Sequence, residues 1–193
     1  MKKQSRSWLL LLVAALLAIS FGATAGKPVP RVDHVDLSRY MGRWYVIAAI
    51  PTSYGDQAWN MVETYRRMPD GNVCTSLWFH DGGIDGPIKN IHHPASVQKG
   101  SGNAIWQVQV FWFIDAQYVV SWLKPDYSQV IVARDKRDHA WLMARTPTIP
   151  EADYQAMLKR VKAMGYDLSE LRKVPQQWPE SGPSNLTFAQ PCD

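Results

Sequence analysis

Tyr40-Met41-Gly42-Arg43-Trp44-Tyr45-Val46-Ile47-Ala48 is the stretch on which the reading of this chain turns, and it must be taken together with the distant Arg145. A glycine two residues ahead of a tryptophan lets the backbone bend tightly and bring the indole under a neighbouring element, while Val46 to Ile50 continues as strand-like sequence. Gly-x-Trp alone says little. A cation–π contact between Trp44 and Arg145, worth roughly 0.5 to 2 kcal/mol, would join the two ends of a strand series.

Such a series is legible between them. The first strand is expected from Trp44 to Ile50, a loop from Pro51 to Asp56, and a second strand from Trp59 to Arg67. Pro69-Asp70-Gly71 then turns the chain into a third strand, Val73 to Phe79. Ile88 to Val97 reads as a fourth strand interrupted at Pro94, hence at an edge or bulged. The clearest period of two follows: Trp106, Val108, Val110 and Trp112 alternate with Gln107, Gln109 and Phe111, and Tyr118, Val120 and Trp122 repeat the pattern. Tyr127 to Ala133 and His139 to Arg145 form a last hairpin across Asp135-Lys136-Arg137-Asp138. About eight antiparallel strands joined by short turns predict an all-β protein closed into an up-and-down barrel that removes its own edges.

The period then changes to a helical one, with Tyr154, Met157, Leu158, Val161 and Met164 on one stripe. Thr148-Ile149-Pro150-Glu151 has the form of a capping box and Gly165 that of a C-terminal stop, so one helix is expected to pack outside the barrel. Residues 26–174 thus read as barrel plus helix, and 175–193, rich in Pro, Gln and Ser, as a tail along the surface.

Ahead of the barrel, Lys2, Lys3 and Arg6 precede an apolar run from Trp8 to Phe21 and then Ala23-Thr24-Ala25. The run is short for a membrane span, so residues 1–25 read as a secretory signal cleaved after Ala25, which leaves 168 residues and one domain with a substantial core. No cysteine precedes Cys74, so a bacterial lipid anchor is not expected at this junction. Of the net charge of +4, three positive charges lie in the signal, which leaves +1 on the remainder and no basic block suited to nucleic acid. Cys74 and Cys192 are the two cysteines; after export they read as a disulfide or, as the alternative, as a reactive thiol. Asn185-Leu186-Thr187 would be a glycosylation acceptor in a eukaryotic secretory pathway.

Three segments carry a resemblance to a known family: Tyr40 to Ala48, Glu63-Thr64-Tyr65 through Pro69-Asp70-Gly71, and Asp135-Lys136-Arg137-Asp138-His139-Ala140-Trp141-Leu142-Met143-Ala144-Arg145-Thr146-Pro147-Thr148. The chain resembles the lipocalins, in particular their bacterial Blc and apolipoprotein D-like branch. That resemblance implies an eight-stranded barrel closed near Trp44 and Arg145 and open at the other end to an apolar ligand. It also implies a carrier and not an enzyme, with no cofactor. The lipidated cysteine of the bacterial relatives is missing, so any contact with the outer membrane would be peripheral. Nothing in the sequence decides between monomer and dimer.

By period-two parity the lumen candidates are Trp106, Val108, Val110, Tyr118, Val120, Trp122, Trp141 and Met143, with Tyr118 and His139 as partners for a polar head group. The expected function is a periplasmic carrier of a fatty acid, lysophospholipid or similar molecule. The alternatives are a lipocalin-type isomerase using a thiol in the cavity, which needs Cys74 free, and an outer-membrane barrel, against which the strand glutamines, the amphipathic helix and the tail count. His92 and His93, with His80 and His139, raise a metal or haem site, but adjacent strand histidines face opposite ways, so no metal ligands are assigned.

Overall fold

The computed structural model describes residues 27–51, 57–178 and 192; the expected signal and the Asn185 triplet lie outside them, as does most of the tail. Eight strands run up and down: β1 (Gly42–Ile50), β2 (Ala58–Arg67), β3 (Val73–Asp81), β4 (Ile88–Val97), β5 (Ile105–Phe111), β6 (Ile114–Leu123), β7 (Gln129–Ala133) and β8 (Ala140–Ala144). Each pairs antiparallel with the next, and β1 pairs with both β8 and β2, which closes the ring. Pro94 sits inside β4, opposite Cys74.

Inward and outward faces alternate, and two cores result. The inner one runs through Trp44, Tyr65, Trp106, Tyr118, Val130 and Met143; the outer one joins Ile131 and Leu142 to α2 (Glu151–Ala163) through Met157 and Val161. Burial on both faces explains why β7 reads as the unbroken run Val130-Ile131-Val132-Ala133. Helix α2 ends as expected: Gly165 adopts φ +87°, and the N–H groups of Gly165 and Tyr166 donate to Lys162 and Val161. Its start differs from the expected capping box. Pro150 is the N-cap and its ring has no group to hydrogen-bond, Thr148 lies two residues ahead of the cap, and the Glu151 carboxylate accepts from Gln155 at 2.8 Å.

Other boundaries also shift. Tyr127, placed in β7 by pattern, sits at φ +63° in the preceding turn, and β5 stops at Phe111 so that Trp112 and Phe113 form the hairpin tip. A short helix α1 (Leu37–Tyr40), capped by Asp36, interrupts the leader and lies under the barrel. The β1–β2 seam pairs from Gly42 to Tyr45 only. Beyond it β9 (Arg172–Lys173) pairs with Ala48 and Ala49, and Gln176 donates to the carbonyls of Val46 and Met61 at 2.8 and 3.1 Å. Residues 172–178 therefore complete the wall, whereas the sequence reading put everything after Val174 on the surface. Cys74 and Cys192 form a disulfide with a Cα–Cα distance of 5.6 Å across a sequence separation of 118. Closing so long a loop restricts the unfolded chain by roughly 4 to 5 kcal/mol.

Candidate functional site

The closed end is built around Trp44, fully buried, with the Arg145 guanidinium carbon 3.8 Å from its ring centroid. Gly42 has φ +89°, a conformation glycine adopts without strain, and it starts the strand that brings the indole beneath Arg145. Arg145 also donates to the carbonyls of Arg43, Arg39 and Tyr40 at 2.6, 2.7 and 2.9 Å, and Trp44 Nε1 donates to Tyr40 at 2.9 Å. One arginine thus ties α1 to β1 and seals the floor. Above it, Tyr118 Oη lies 2.7 Å from Tyr40 Oη and donates to Tyr65 Oη at 2.8 Å. Trp106 stacks on Tyr118 with centroids 4.6 Å apart and planes 7° from parallel. Burial pushes the three tyrosine hydroxyls above their ordinary range, so they stay neutral.

Over this floor lies a chamber of about 410 Å³ whose apolar wall includes Leu77, Ile91, Val108 and Trp141. A second cavity of about 340 Å³ lies beside Ala49, Met61 and Val174. Leu77 and Trp141 line both and so stand between them. Five of the nine lumen candidates, Val108, Val110, Tyr118, His139 and Trp141, line the larger chamber. Trp106, Val120 and Met143 are instead fully buried in the inner core and line neither cavity. Trp122 is a correction: it packs with the outer core, and the Arg160 guanidinium lies 4.7 Å over its ring. A bulge between Val120 and Trp122 reverses the parity of β6, so Leu123 takes the inward position. Tyr118 is also corrected as a head-group partner, since its hydroxyl is held between Tyr40 and Tyr65.

Several lining residues went unassigned in the sequence reading. Glu63, partly buried on the face of β2 that carries Tyr65, has its Oε2 buried without a hydrogen-bond partner among the described residues. Desolvation raises its carboxyl to about 8, so it is neutral at pH 7. Arg134 Nε and His139 Nδ1 are likewise buried without a hydrogen-bond partner among the described residues, although Arg134 Nη1 pairs with Asp138 Oδ2 at 3.4 Å, and burial lowers the His139 imidazole below its ordinary range. The signal for Glu63 was present: Met61, Glu63 and Tyr65 alternate on one face. Arg134 carried no such signal, because it follows β7 in a loop. Of the paired histidines, His93 lines the chamber while His92 Nδ1 lies 2.8 Å from Ser76 Oγ. Cys74 is disulfide-bonded, so the isomerase alternative has no free thiol there.

A closed up-and-down barrel of eight strands, sealed at one end by a tryptophan under an arginine and hollow above, defines the class of barrels that enclose one small molecule. The Lipocalin-like domain model matches residues 35–176, and the chain belongs to the lipocalin family. It is 29% identical to temperature-induced lipocalin-1 of Arabidopsis thaliana over 79% of this chain and 86% of that protein. It is 29% identical to the outer membrane lipoprotein Blc of Escherichia coli K12, covering 87% and 97%. Among solved structures, insecticyanin from the tobacco hornworm superposes with a TM-score of 0.58 at 15% identity, over 80% of this chain and 86% of that one.

Proposed function

We propose that the protein is an exported carrier which holds a fatty acid, lysophospholipid or similar hydrophobic molecule in the larger chamber and acts by binding, not by catalysis. The observation that carries this reading is the chamber itself, about 410 Å³ between an aromatic floor and an open end. Each methylene moved from water into such a wall contributes about 0.8 kcal/mol, so ten supply roughly 8 kcal/mol before the cost of association. Arg134 and Lys136 line the same chamber and suit an anionic head. Export by residues 1–25 and a periplasmic location belong to the same reading, which the likeness to bacterial outer membrane lipoproteins supports.

The tip of the β5–β6 hairpin favours work at a lipid surface. Phe111, Trp112, Phe113 and Ile114 are exposed in sequence, Trp112 by 88% and Phe113 by 83%, next to the chamber's own lining residues Phe111 and Ile114. Aromatic side chains projecting from a tight turn suit the headgroup boundary of a bilayer, giving peripheral contact without a spanning helix. Native mass spectrometry of the gently purified protein, with extraction of whatever travels with it, tests the carrier reading. A stoichiometric lipid is expected; an empty protein that also takes up neither fatty acid nor lysophospholipid would overturn it.

A further inference from the structure

The polar atoms around the chamber are not equivalent. Tyr118 Oη donates to Tyr65 Oη at 2.8 Å, Tyr65 Oη in turn to Met143 Sδ at 4.0 Å, and Thr75 Oγ1 to the His93 carbonyl at 3.1 Å. Each of these lining hydroxyls commits its hydrogen within the protein. Among the described residues Glu63 Oε2 is buried with no donor, and Arg134 Nε and His139 Nδ1 are buried with no hydrogen-bond partner, although Arg134 Nη1 lies 3.4 Å from Asp138 Oδ2. Glu63 and Tyr65 come from the half of β2 that leads into the floor, whereas Arg134 and His139 flank the β7–β8 loop at the open end. An acceptor therefore waits near the bottom of the chamber, and near its mouth lies a guanidinium that Asp138 engages through Nη1 while Nε stays unmet. Buried polar atoms without partners are unfavourable, and a ligand that supplies the partners gains what the empty barrel forgoes.

We propose that the chamber is built for a two-ended amphiphile whose inner end is a hydrogen-bond donor, a hydroxyl or an amine, directed at Glu63, and whose acidic end lies by Arg134 at the mouth. This rests on the carrier reading and narrows its ligand class. Among the described residues no cation offsets the burial of Glu63, which holds its carboxyl at about 8; a neutral carboxyl both donates and accepts, and so suits a hydroxyl. A plain fatty acid would present only a methyl group to the same oxygen. At roughly 30 Å³ per non-hydrogen atom, the share one water takes in the liquid, the chamber holds a chain of about a dozen atoms.

Titration calorimetry with dodecanoate, 12-hydroxydodecanoate and 12-aminododecanoate tests this on the native protein, Glu63→Leu and Glu63→Gln. The better bound of the two substituted acids names the donor, and at least one is expected to bind fivefold or more tighter than dodecanoate. Glu63→Leu is expected to reverse that order while still binding dodecanoate. Glu63→Gln, which keeps shape and an acceptor, is expected to retain part of the preference. Dodecanoate bound as tightly as both substituted acids, or a preference unchanged in Glu63→Leu, overturns the proposal and leaves the carrier standing. Failure of all three acids to bind the native protein overturns the proposal, and the carrier reading falls with it when lysophospholipid is not taken up either.

Discussion

The aromatic floor of the barrel and the chamber above it use their polar groups differently. At the closed end Arg145 serves three carbonyls and a tryptophan face, Trp44 Nε1 has its acceptor, and the tyrosine hydroxyls are linked to one another. Above it, Glu63, Arg134 and His139 line a chamber, and among the described residues Glu63 Oε2, Arg134 Nε and His139 Nδ1 have no hydrogen-bond partner, while Trp112 and Phe113 project from the hairpin tip. A polar group satisfied within the protein can only hold the fold, whereas one left unmet beside a cavity has a stability cost that a bound molecule can remove.

The largest effect is expected from breaking the closed end. Trp44→Ala removes a fully buried indole, and it is expected to destabilise the barrel by about 3 to 5 kcal/mol in urea unfolding. A loss under 1 kcal/mol would mean that the floor does not hold the fold. The middle effect sharpens the contrast at Glu63. Its folded carboxyl sits at about 8 against an ordinary 4.5, so between those values the unfolded chain releases a proton that the folded protein keeps. Stability should therefore fall as pH rises from about 4.5 to 8, by roughly 2 to 4 kcal/mol, and level off above. In Glu63→Gln that fall should disappear, and an unchanged pH profile would show that Glu63 does not bear it. The smallest change in stability, within about 0.5 kcal/mol, is expected from Trp112→Ser with Phe113→Ser, because both side chains are exposed. Sedimentation with phosphatidylglycerol–phosphatidylethanolamine vesicles should nonetheless drop at least fivefold. Equal sedimentation of variant and native protein would remove the lipid-surface reading.

Much of the architecture was legible because period-two alternation and turn chemistry are local. Val73 to Phe79, Ile88 to Val97 and the stripe Tyr154-Met157-Val161 fall where the pattern put them. The site was legible only where alternation ran undisturbed, as at Val108 and Trp141. It failed at Trp122, because a single bulged residue turns every later side chain of a strand to the other face and leaves no mark in composition.

By itself the sequence determined the series of eight strands, the outer helix and the pairing of the two cysteines it contains, since these follow from residue types, their local spacing and their number; the meeting of Trp44 with Arg145 came from the resemblance to the lipocalins. The tertiary structure alone decided that residues 172–178 fill the β1–β2 seam and that Trp106 fills the floor while Trp141 divides the lumen. It also decided that Glu63 lines the chamber with its Oε2 unpartnered among the described residues. Those outcomes depend on which side chains occupy the same volume once distant strands close, and packing of that kind is not encoded in any one stretch of chain.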